Sequence, residues 1–335
     1  MKTKFAIVGC GHIGKRHAKH IQNHPKAELV GVYDVLQKQS EALVAEYGGV
    51  AFSSYESLLE AEFDIVNVCT PNGSHHTLTV SALNAGIHVL VEKPMAIKKS
   101  YCEQMVKASL DNGKRLFVVK QNRFNPPVQA VKNVVDGGKL GRIFSVVVNG
   151  YWNRNEQYYK QSDWRGTLEM DGGTLFTQFS HFIDILYYLF GDVKVISGLT
   201  VNANHQGLIE FEDTGSFVFK LVESDAIGSL NYTTNAFDKN LEGSICVFAE
   251  NGTIKIGGQY LNAIEYQATK GFEIEELPIV DKANDYGFYA GSMSNHDKVI
   301  DNVIQSLNGN EKIMTNAYDG LKVVEIIESF YAAAQ

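Results

Sequence analysis

Residues 4–14, KFAIVGCGHIG, decide how the chain begins to fold. Their first half is a largely apolar run, which is typical of a parallel β-strand that is covered on both faces. Gly9, Gly11 and Gly14 then follow a G-x-G-x-x-G pattern, and a helix is expected from about His12. The pattern alone is a weak signal, but between a strand and a helix it indicates a turn that binds a dinucleotide.

The glycine spacing and a downstream acidic residue indicate which dinucleotide is bound. The first glycine makes the turn, the second lets the backbone approach a pyrophosphate, and the third lets helix and strand pack closely. The helix start at His12 and Ile13 offers N–H groups and a partial positive charge to the anion. Asp34 lies 20 residues after Gly14, where a carboxylate accepts hydrogen bonds from ribose hydroxyls and repels a 2′-phosphate. The sequence therefore predicts NAD, against the alternative of a glycine-rich turn with no ligand.

Size and composition limit the remaining possibilities. The chain has 335 residues and 44% hydrophobic content, enough for two domains with substantial cores. Its net charge of −8 argues against nucleic acid or an anionic membrane as a partner. The sequence contains no run of 18 apolar residues, so no membrane-spanning helix is predicted. The N-terminus is predicted to be a strand and not a secretion signal. The four cysteines show no paired spacing, so a reducing cytoplasm is expected.

Strand and helix patterns alternate through the first 120 residues. The longer strands of this part are predicted at 4–10, 27–34, 64–71, 88–93 and 115–122. Such alternation indicates a parallel sheet with helices on both faces. We therefore predict an N-terminal Rossmann dinucleotide-binding domain over residues 1–122.

The pattern becomes strand-rich after Asn122, which predicts a second α/β domain over residues 123–335 with a large, mostly antiparallel sheet. Its predicted elements are a strand at 143–152, a helix at 172–191, two strands around an Asp-Thr-Gly turn within 208–222, a hairpin around Asn251-Gly252 within 245–258, and a last helix at 317–334. We expect this last helix to pack back toward the first domain.

A polar segment at the end of the predicted strand 64–71 is expected to face the same crevice as the glycine turn. Ligands in open parallel sheets bind beyond the carboxyl ends of the strands. Thr70, Pro71 and Asn72 end this strand, and His75 begins the next helix. Asn72 is equally well explained as a turn residue beside a helix start, so both interpretations stay open.

Lys93 ends the strand 88–93 and lies between Glu92 and Pro94. One interpretation is an exposed lysine that pairs with Glu92 in solvent. The other is a base beside the nicotinamide, with a pKa that partial burial lowers toward neutrality. Cis peptide bonds occur chiefly before proline, and one here would fix the direction of the lysine.

Four segments of the chain resemble the Gfo/Idh/MocA family of NAD(P)-dependent oxidoreductases. They are GCGHIG (9–14), TPNGSHH (70–76), EKP (92–94) and GGTLFTQFSHFID (172–184). Three narrower segments are VKQNRFNPPV (119–128), DWRGT (163–167) and NLEGSICVF (240–248). These are most similar to the family members that act as UDP-N-acetylglucosaminuronate 3-dehydrogenases in lipopolysaccharide O-antigen synthesis.

The resemblance implies roles for particular residues. It places Lys93 beside the reacting carbinol, commonly with a cis bond to Pro94, and makes His181 the second catalytic group. Many members carry an aspartate four residues before this histidine, but here the position is Thr177. An aspartate-assisted relay is therefore not assumed, and Asp184 either orients His181 or serves local packing. The resemblance also implies that the open sheet packs face to face in a homodimer or homotetramer.

The distribution of arginine suggests an anionic substrate. The sequence contains 24 lysines and six arginines, and four of the arginines lie between positions 123 and 165. A guanidinium binds carboxylate or phosphate with a planar fork that an ammonium lacks. We expect Arg123, Arg154 and Arg165 to serve a sugar carboxylate, a diphosphate or the cofactor. Arg142 follows a helix-ending glycine and is expected to interact with the helix dipole.

The complete prediction is a nucleotide-sugar dehydrogenase with two sets of site residues. The cofactor set comprises Gly9, Gly11, His12, Ile13, Gly14, Asp34, Thr70, Pro71, Asn72, His75, Glu92, Lys93, Gln121, Trp164 and Arg165. The substrate set comprises Lys93, Arg123, Asn125, Arg154, Arg165, Thr177, Gln178, His181 and His296. The partner predicted for these residues is a UDP-sugar uronate. No metal is predicted, because the helically spaced histidines 17, 20 and 24 lack a completing ligand.

Three other functions remain open from the sequence. The first is an NAD-dependent dehydrogenase of another sugar or polyol. The second is an NAD-dependent glycosidase, which oxidises C3 transiently and releases free sugar without net NADH. The third is a sensor that binds NAD without turnover, for which the replacement Lys93→Ala would be silent.

Overall fold

The computed structural model describes residues 2–224, 226–278, 291 and 293–334. The chain divides into two compact units. The first unit contains residues up to Lys120 together with 296–324, and the second contains residues 121–295 together with the chain from Glu325 onward. The sequence places the boundary after residue 122 and expects only the last helix, 317–334, to pack back toward the first domain, whereas the first unit also takes up residues 296–316.

The first unit contains a six-stranded parallel sheet in the order β3-β2-β1-β4-β5-β6. Its strands are β1 (Thr3–Val8), β2 (Ala27–Tyr33), β3 (Val50–Ala51), β4 (Ile65–Val68), β5 (His88–Val91) and β6 (Leu116–Val118). All four residues of β4 are buried, as are the last four of β1. This burial explains their largely apolar sequence, because side chains on both faces are covered, and the polar exception is the buried Asn67.

Helices connect these parallel strands. They are α1 (His12–Asn23), α2 (Gln37–Tyr47), α3 (Tyr55–Leu59), α4 (His75–Asn84) and α5 (Lys99–Asp111), and α10 (His296–Leu307) joins the same unit. The alternation of strands and helices confirms the predicted α/β arrangement. The strand predicted at 115–122 is shorter, because the chain turns into a 3-10 helix at Gln121–Phe124.

The second unit contains a seven-stranded sheet in the order β13-β12-β11-β7-β10-β9-β8. Its strands are β7 (Ile143–Tyr151), β8 (Val193–Val201), β9 (Thr214–Leu221), β10 (Ile227–Thr233), β11 (Glu242–Ala249), β12 (Gly252–Gly257) and β13 (Ala263–Thr269). The pair β7 and β10 is parallel and the other neighbours are antiparallel. The predicted mostly antiparallel sheet is therefore confirmed, as is the hairpin around Asn251-Gly252, in which Ala249 pairs with Gly252.

The remaining helices are α6 (Pro126–Asp136), α7 (Glu156–Lys160), α8 (Thr174–Thr177), α9 (Ser180–Phe190) and α11 (Ala317–Ala332). The prediction of one continuous helix over 172–191 is wrong, because the chain breaks at Gln178 and Phe179 between α8 and α9. Phe179 is fully buried against Trp152 and Tyr232. The helical periodicity of this segment did not reveal the packing at the break.

The two strands predicted within 208–222 are also wrong in part. Only β9 forms, and it pairs with β8 and β10 instead of with a neighbouring run. The preceding apolar residues Ile209 and Phe211 pack with Tyr158 and Tyr159 in a separate cluster. Burial in that cluster explains their apolar character without a strand.

The exposed side of the second sheet carries apolar side chains. Ile196, Leu199 and Val201 on β8 are 51%, 65% and 53% exposed, and Val218 on β9 is 48% exposed. Among the described residues, no helix combines the length and hydrophobicity needed to cross a membrane.

Candidate active site

The three glycines of the first turn serve different purposes in the structure. Gly9 has a φ of +90°, and a Cβ on it would lie 2.6 Å from the Cys69 carbonyl oxygen. A Cβ on Gly14 would lie 2.0 Å from the Gly9 oxygen, so helix and strand could not pack as closely. Around Gly11, in contrast, no described atom lies within 4 Å of the Cβ position. The fold itself does not require Gly11, so its bare backbone fits the close approach of a pyrophosphate.

The start of α1 has the electrostatics of an anion site. Gly11 is the N-cap without a side-chain hydrogen bond, and the first turn, which begins with His12 and Ile13, contains no acidic residue. The first N–H groups of a helix have no acceptor within the helix, and the partial positive charge at this end suits an anion.

Asp34 lies directly beside this turn. Its Oδ2 accepts a hydrogen bond of 2.7 Å from the Cys10 N–H, and its Oδ1 accepts one of 2.8 Å from the Leu36 N–H. Each oxygen keeps a lone pair that a ribose hydroxyl can use. Burial raises the pKa of the neighbouring Cys10 thiol to about 12, so this cysteine stays protonated and is not a nucleophile.

His75 joins the two strand ends that were expected to face the glycine turn. Its Nδ1 lies 2.8 Å from the Pro94 oxygen and its Nε2 lies 2.9 Å from the Thr70 oxygen. Both neighbours are acceptors, so either tautomer of the neutral ring donates to one of the strand ends. His75 is fully buried and Asn72 is 7% exposed, in the short 3-10 helix that follows Pro71. Their assignment to the cofactor stays a prediction.

Glu92 is not part of an exposed ion pair, which was one interpretation of the Glu92-Lys93 sequence. It is 5% exposed, and its Oε1 lies 2.8 Å from His17 Nε2 and 3.3 Å from His296 Nε2. Its Oε2 accepts a hydrogen bond of 3.1 Å from the Lys93 backbone N–H. Lys93 is half-buried, and its peptide bond to Pro94 is cis.

In the second unit, Arg123 and Asp184 form a buried pair. Arg123 Nε lies 3.0 Å from Asp184 Oδ2, and Nη2 lies 2.7 Å from Oδ1, which is a bidentate geometry. Arg123 is 1% exposed and Asp184 is 2% exposed. Asp184 thus pairs with the arginine, and its orienting role toward His181, one of the two roles considered for it, stays a prediction. Whether Arg123 also reaches a substrate stays a prediction.

His181 lies near the start of α9, and Thr177 ends α8. The sequence placed them one turn apart on one continuous helix, but the break at Phe179 separates the two helices. They are 6% and 8% exposed, respectively. Their roles toward the substrate stay predictions.

Arg154 and Gln178 are joined around Tyr158. Arg154 Nε donates to Gln178 Oε1 at 2.6 Å, and Gln178 Nε2 donates to the Tyr158 hydroxyl at 2.6 Å. The guanidinium of Arg154 also lies over the rings of Trp152 and Tyr158, at 4.9 and 5.2 Å. All four side chains are buried. The structure therefore brings together three segments that the sequence could only name separately.

Arg165 belongs to the same cluster. Its Nη1 donates to the Tyr158 hydroxyl at 2.5 Å, and its guanidinium lies 4.5 Å from the ring centres of Tyr158 and Trp164. Its Nε is buried without a hydrogen-bond partner, and no carboxylate pairs with it within the described ranges. A buried donor without a protein partner is costly, and an anionic ligand would satisfy it.

Asn125 and Gln121 lie deeper in the second unit. Asn125 Nδ2 donates to the carbonyl oxygens of Tyr260 and Leu261, and its Oδ1 accepts from Asn295. Asn125 and Gln121 are 0% and 3% exposed. Asn125 thus fixes the chain around 260, and its contact with a substrate stays a prediction.

A histidine that the sequence did not single out supports Arg154. His205 Nε2 lies 2.8 Å from the Arg154 carbonyl oxygen, and its Nδ1 lies 2.9 Å from Asp213 Oδ2. No spacing in the sequence signals this arrangement, because Arg154 lies about 50 residues before the loop between β8 and β9 that carries both His205 and Asp213. His17 was likewise considered only as a metal ligand, although it contacts Glu92.

Two protein-family models together match most of the chain. Residues 3–120 match the GFO/IDH/MocA oxidoreductase family with an NAD-binding Rossmann fold, and residues 128–255 match the GFO/IDH/MocA C-terminal domain. Among curated proteins, glucose-6-phosphate 3-dehydrogenase of Bacillus subtilis is 33% identical over 193 residues, covering 56% of this chain and 53% of that protein. Inositol 2-dehydrogenase of Rhizobium meliloti is 30% identical over 148 residues, covering 44% and 45%. The chain thus matches about half the length of these relatives.

Solved structures match over nearly the whole chain. The WlbA dehydrogenase of Bordetella pertussis, in complex with NADH and UDP-GlcNAcA, is 35% identical with a TM-score of 0.87, covering 99% of this chain and 96% of that one. The WlbA dehydrogenase of Chromobacterium violaceum, in complex with the same two molecules, is 35% identical with a TM-score of 0.90, covering 99% and 93%. Together with the glycine turn and Asp34, these matches show that the chain belongs to the GFO/IDH/MocA family of oxidoreductases and uses NAD as its cofactor.

Proposed function

We propose that this protein oxidises C3 of a UDP-N-acetylhexosaminuronate with NAD, giving a 3-keto nucleotide sugar for lipopolysaccharide O-antigen synthesis. The observation that carries the proposal is the similarity over 99% of the chain to two dehydrogenases solved with NADH and UDP-GlcNAcA. The curated relatives act on other sugars and polyols, but each matches a smaller part of the chain.

The arginine cluster of the second unit supports an anionic substrate. A UDP-uronate carries a diphosphate and a carboxylate, both of which a guanidinium binds with two parallel hydrogen bonds. Arg165 has a buried Nε without a protein partner and is held in place by Tyr158. We therefore assign Arg165 to an anionic group of the substrate or to the cofactor, and Arg154 to the same cluster.

The reaction removes two hydrogens from a secondary alcohol. The hydroxyl proton passes to a base, the hydrogen on C3 leaves with its electron pair, and a C=O bond forms in place of the C–H and O–H bonds. When bound, NAD accepts the hydride. We propose Lys93 and His181 as the groups that handle the hydroxyl proton, since amine and imidazole both suit this task. The orientation of the alcohol supplies much of the remaining rate.

Turnover with defined sugars tests the proposal. The protein is incubated with NAD and UDP-N-acetylglucosaminuronate, and both NADH absorbance and the loss of two mass units from the sugar are followed. UDP-N-acetylglucosamine, which lacks the carboxylate, and glucose 6-phosphate, the substrate class of one relative, are the matched comparisons. We expect the uronate to have the highest kcat/KM. Preference for glucose 6-phosphate, or release of free sugar without net NADH, would reject the assignment.

We also propose that the chain forms a homo-oligomer through the open face of the second sheet. The exposed apolar side chains of Ile196, Leu199 and Val201 form the kind of patch that commonly marks an interface. Light scattering of the purified protein, compared with the variant Leu199→Lys, tests this proposal. A wild-type monomer would contradict it.

A further inference from the structure

A buried carboxylate lies immediately before Lys93 and is surrounded by histidines. Glu92 Oε1 lies 2.8 Å from His17 Nε2 and 3.3 Å from His296 Nε2, and its Oε2 accepts the Lys93 N–H at 3.1 Å. Burial would raise the pKa of Glu92, but its polar contacts with His17 and His296 outweigh burial and hold this pKa well below its usual range. Glu92 is therefore an ionised group with fixed neighbours on both of its oxygens.

The proton on His17 is directed at Glu92 by a third residue. Asn67 Nδ2 donates to His17 Nδ1 at 2.9 Å. His17 Nε2 then carries the proton of the neutral ring and donates to Glu92. Asn67 and His17 are 0% and 1% exposed, so water does not compete for these bonds.

His296 approaches the same carboxylate from α10, about 200 residues away in sequence. It is 1% exposed, and burial lowers its pKa to about 4, so the ring is neutral. Its ring lies edge-on to His17 at 5.3 Å and parallel to His20 at 6.4 Å. Its Nε2 lies 3.3 Å from Glu92 Oε1, but in the part of the chain that the structure describes neither ring nitrogen makes a hydrogen bond of good geometry, with Glu92 or with any other group. Glu92 Oε1 is thus the polar atom to which Nε2 can donate after a small rotation of the ring. Because the ring is buried, its Nε2 faces the Glu92 carboxylate and not solvent.

The backbone that follows Lys93 is also held by a hydrogen bond. His75 Nδ1 lies 2.8 Å from the oxygen of Pro94, the residue that follows Lys93, and its Nε2 lies 2.9 Å from the Thr70 oxygen. The backbone on either side of Lys93 is thus tied to buried histidines, while the lysine side chain remains half-buried.

We propose that His296 is a positioning residue for Lys93, acting with His17 through the Glu92 carboxylate, and that it does not contact the sugar. This inference rests on the proposed role of Lys93 in proton transfer. The physical reason is that the efficiency of a base depends on its placement, and a displacement of about 1 Å can cost roughly 100-fold in rate. The arrangement also revises the expectation from sequence that His296 binds substrate.

Two variants that differ by one methylene separate positioning from packing. In His296→Gln the side-chain amide reaches the position of Nε2 and can still donate to Glu92. In His296→Asn the amide reaches only the position of Nδ1 and cannot. We expect His296→Asn to lower kcat about 10- to 100-fold with little change in either KM. His296→Gln should restore most of the loss.

A control in the same helix accounts for lost packing. Ile300 on α10 is fully buried, and Ile300→Val should lower Tm without changing kcat. A second readout needs no sugar substrate. The acetylation rate of Lys93 in the NAD-bound protein, measured by mass spectrometry against exposed Lys98, should change several-fold in His296→Asn and return toward wild type in His296→Gln.

The outcomes separate this inference from the proposed function. If wild type does not turn over the UDP-uronate, the proposed function fails, while the acetylation rates still decide the role of His296. Unchanged kcat and unchanged Lys93 reactivity in a folded His296→Asn variant would overturn the positioning role. A raised sugar KM at constant kcat would overturn it in favour of substrate contact.

A metal ion is the remaining outcome to test. The ligand atoms of His17, Glu92 and His296 lie within 4.8 Å of one another. Elemental analysis of the purified protein before and after chelation should find no stoichiometric metal. One zinc per chain, lost in His296→Asn, would overturn the hydrogen-bonded arrangement.

Discussion

In the first unit, the residues assigned to NAD lie in three short motifs at the ends of neighbouring parallel strands. In the second unit, the residues assigned to the substrate come from separate helices and loops, and two of them, Arg154 and Arg165, are held together through Tyr158 and Gln178. The residues assigned to NAD therefore depend on backbone geometry, which the glycine spacing controls. The residues assigned to the substrate depend on buried side-chain networks, so a single substitution there should alter either substrate recognition or stability.

Two buried glutamates show the same difference in electrostatic terms. Glu92 in the first unit faces two histidines, and its pKa is well below its usual range. Burial raises the pKa of Glu212 in the second unit to about 7, because its side-chain partners are the hydroxyls of Tyr232 and Tyr331 and not basic groups. Burial alone does not set the charge of a carboxylate; the nature of the donors does.

The largest effect is expected at Lys93. Lys93→Ala should lower kcat by about 10²- to 10⁴-fold, the usual contribution of a general base. Lys98→Ala, at an exposed position five residues away, is the matched control. Kinetics of the double variant Lys93→Ala/His181→Asn should be less than additive if both groups serve one proton transfer. Near wild-type activity of Lys93→Ala would exclude Lys93 as the base.

The buried pair of the second unit should dominate its stability. Arg123→Met removes the guanidinium from a buried carboxylate, that of Asp184, and should lower the free energy of unfolding by about 3–5 kcal/mol. The double variant Arg123→Met/Asp184→Leu should recover most of this loss. Chemical denaturation measures both. If the single and double variants were equally unstable, packing rather than charge would explain the role of Arg123.

The raised pKa of Glu212 should make the free energy of unfolding depend on pH. Its folded pKa of about 7 lies above the ordinary value of 4.5, so its favourable contribution is complete below pH 4.5 and is lost as pH rises through 7. Glu212→Gln keeps an oxygen that can accept from both tyrosines and should be the more stable protein above pH 7, by roughly 2–3 kcal/mol. Denaturation curves at pH 5 and 8 test this. A difference that does not depend on pH would contradict the raised pKa.

Two substitutions in the glycine turn should affect different properties, one NAD binding and the other folding. Gly11→Ala places a methyl group in open space, so Tm should stay close to wild type while NAD binding weakens roughly tenfold, about 1.4 kcal/mol. Gly14→Ala places its Cβ 2.0 Å from the Gly9 oxygen and should disrupt the turn itself. Calorimetric titration with NAD and thermal melts distinguish them. Equal affinity of Gly11→Ala and wild type would mean that the pyrophosphate does not approach this backbone.

The smallest expected effect concerns the fork geometry of Arg165. Arg165→Lys keeps the charge but loses the bidentate contact, so KM for the UDP-uronate should rise roughly tenfold at nearly constant kcat. Arg142→Lys, at an exposed position outside the cluster, is the control. Steady-state kinetics measure both variants. An unchanged KM in Arg165→Lys would contradict the assignment of Arg165 to the substrate.

The sequence by itself determined the parallel sheet and NAD as the cofactor. These features depend on local patterns: an apolar strand, three spaced glycines and an acid at the end of the next strand. The sequence also determined the hairpin around Asn251-Gly252, since turn chemistry is local.

Only the tertiary structure decided the break at Phe179, the use of Asp184 by Arg123, and the contact of His296 with Glu92. Each joins residues that are distant in sequence, or depends on how a buried ring packs. Helical periodicity reports one face of a segment, but it carries no information about which distant group will occupy that face. The physical reason is that burial and hydrogen-bond satisfaction are properties of the whole packed chain, and they override local preference wherever the two differ.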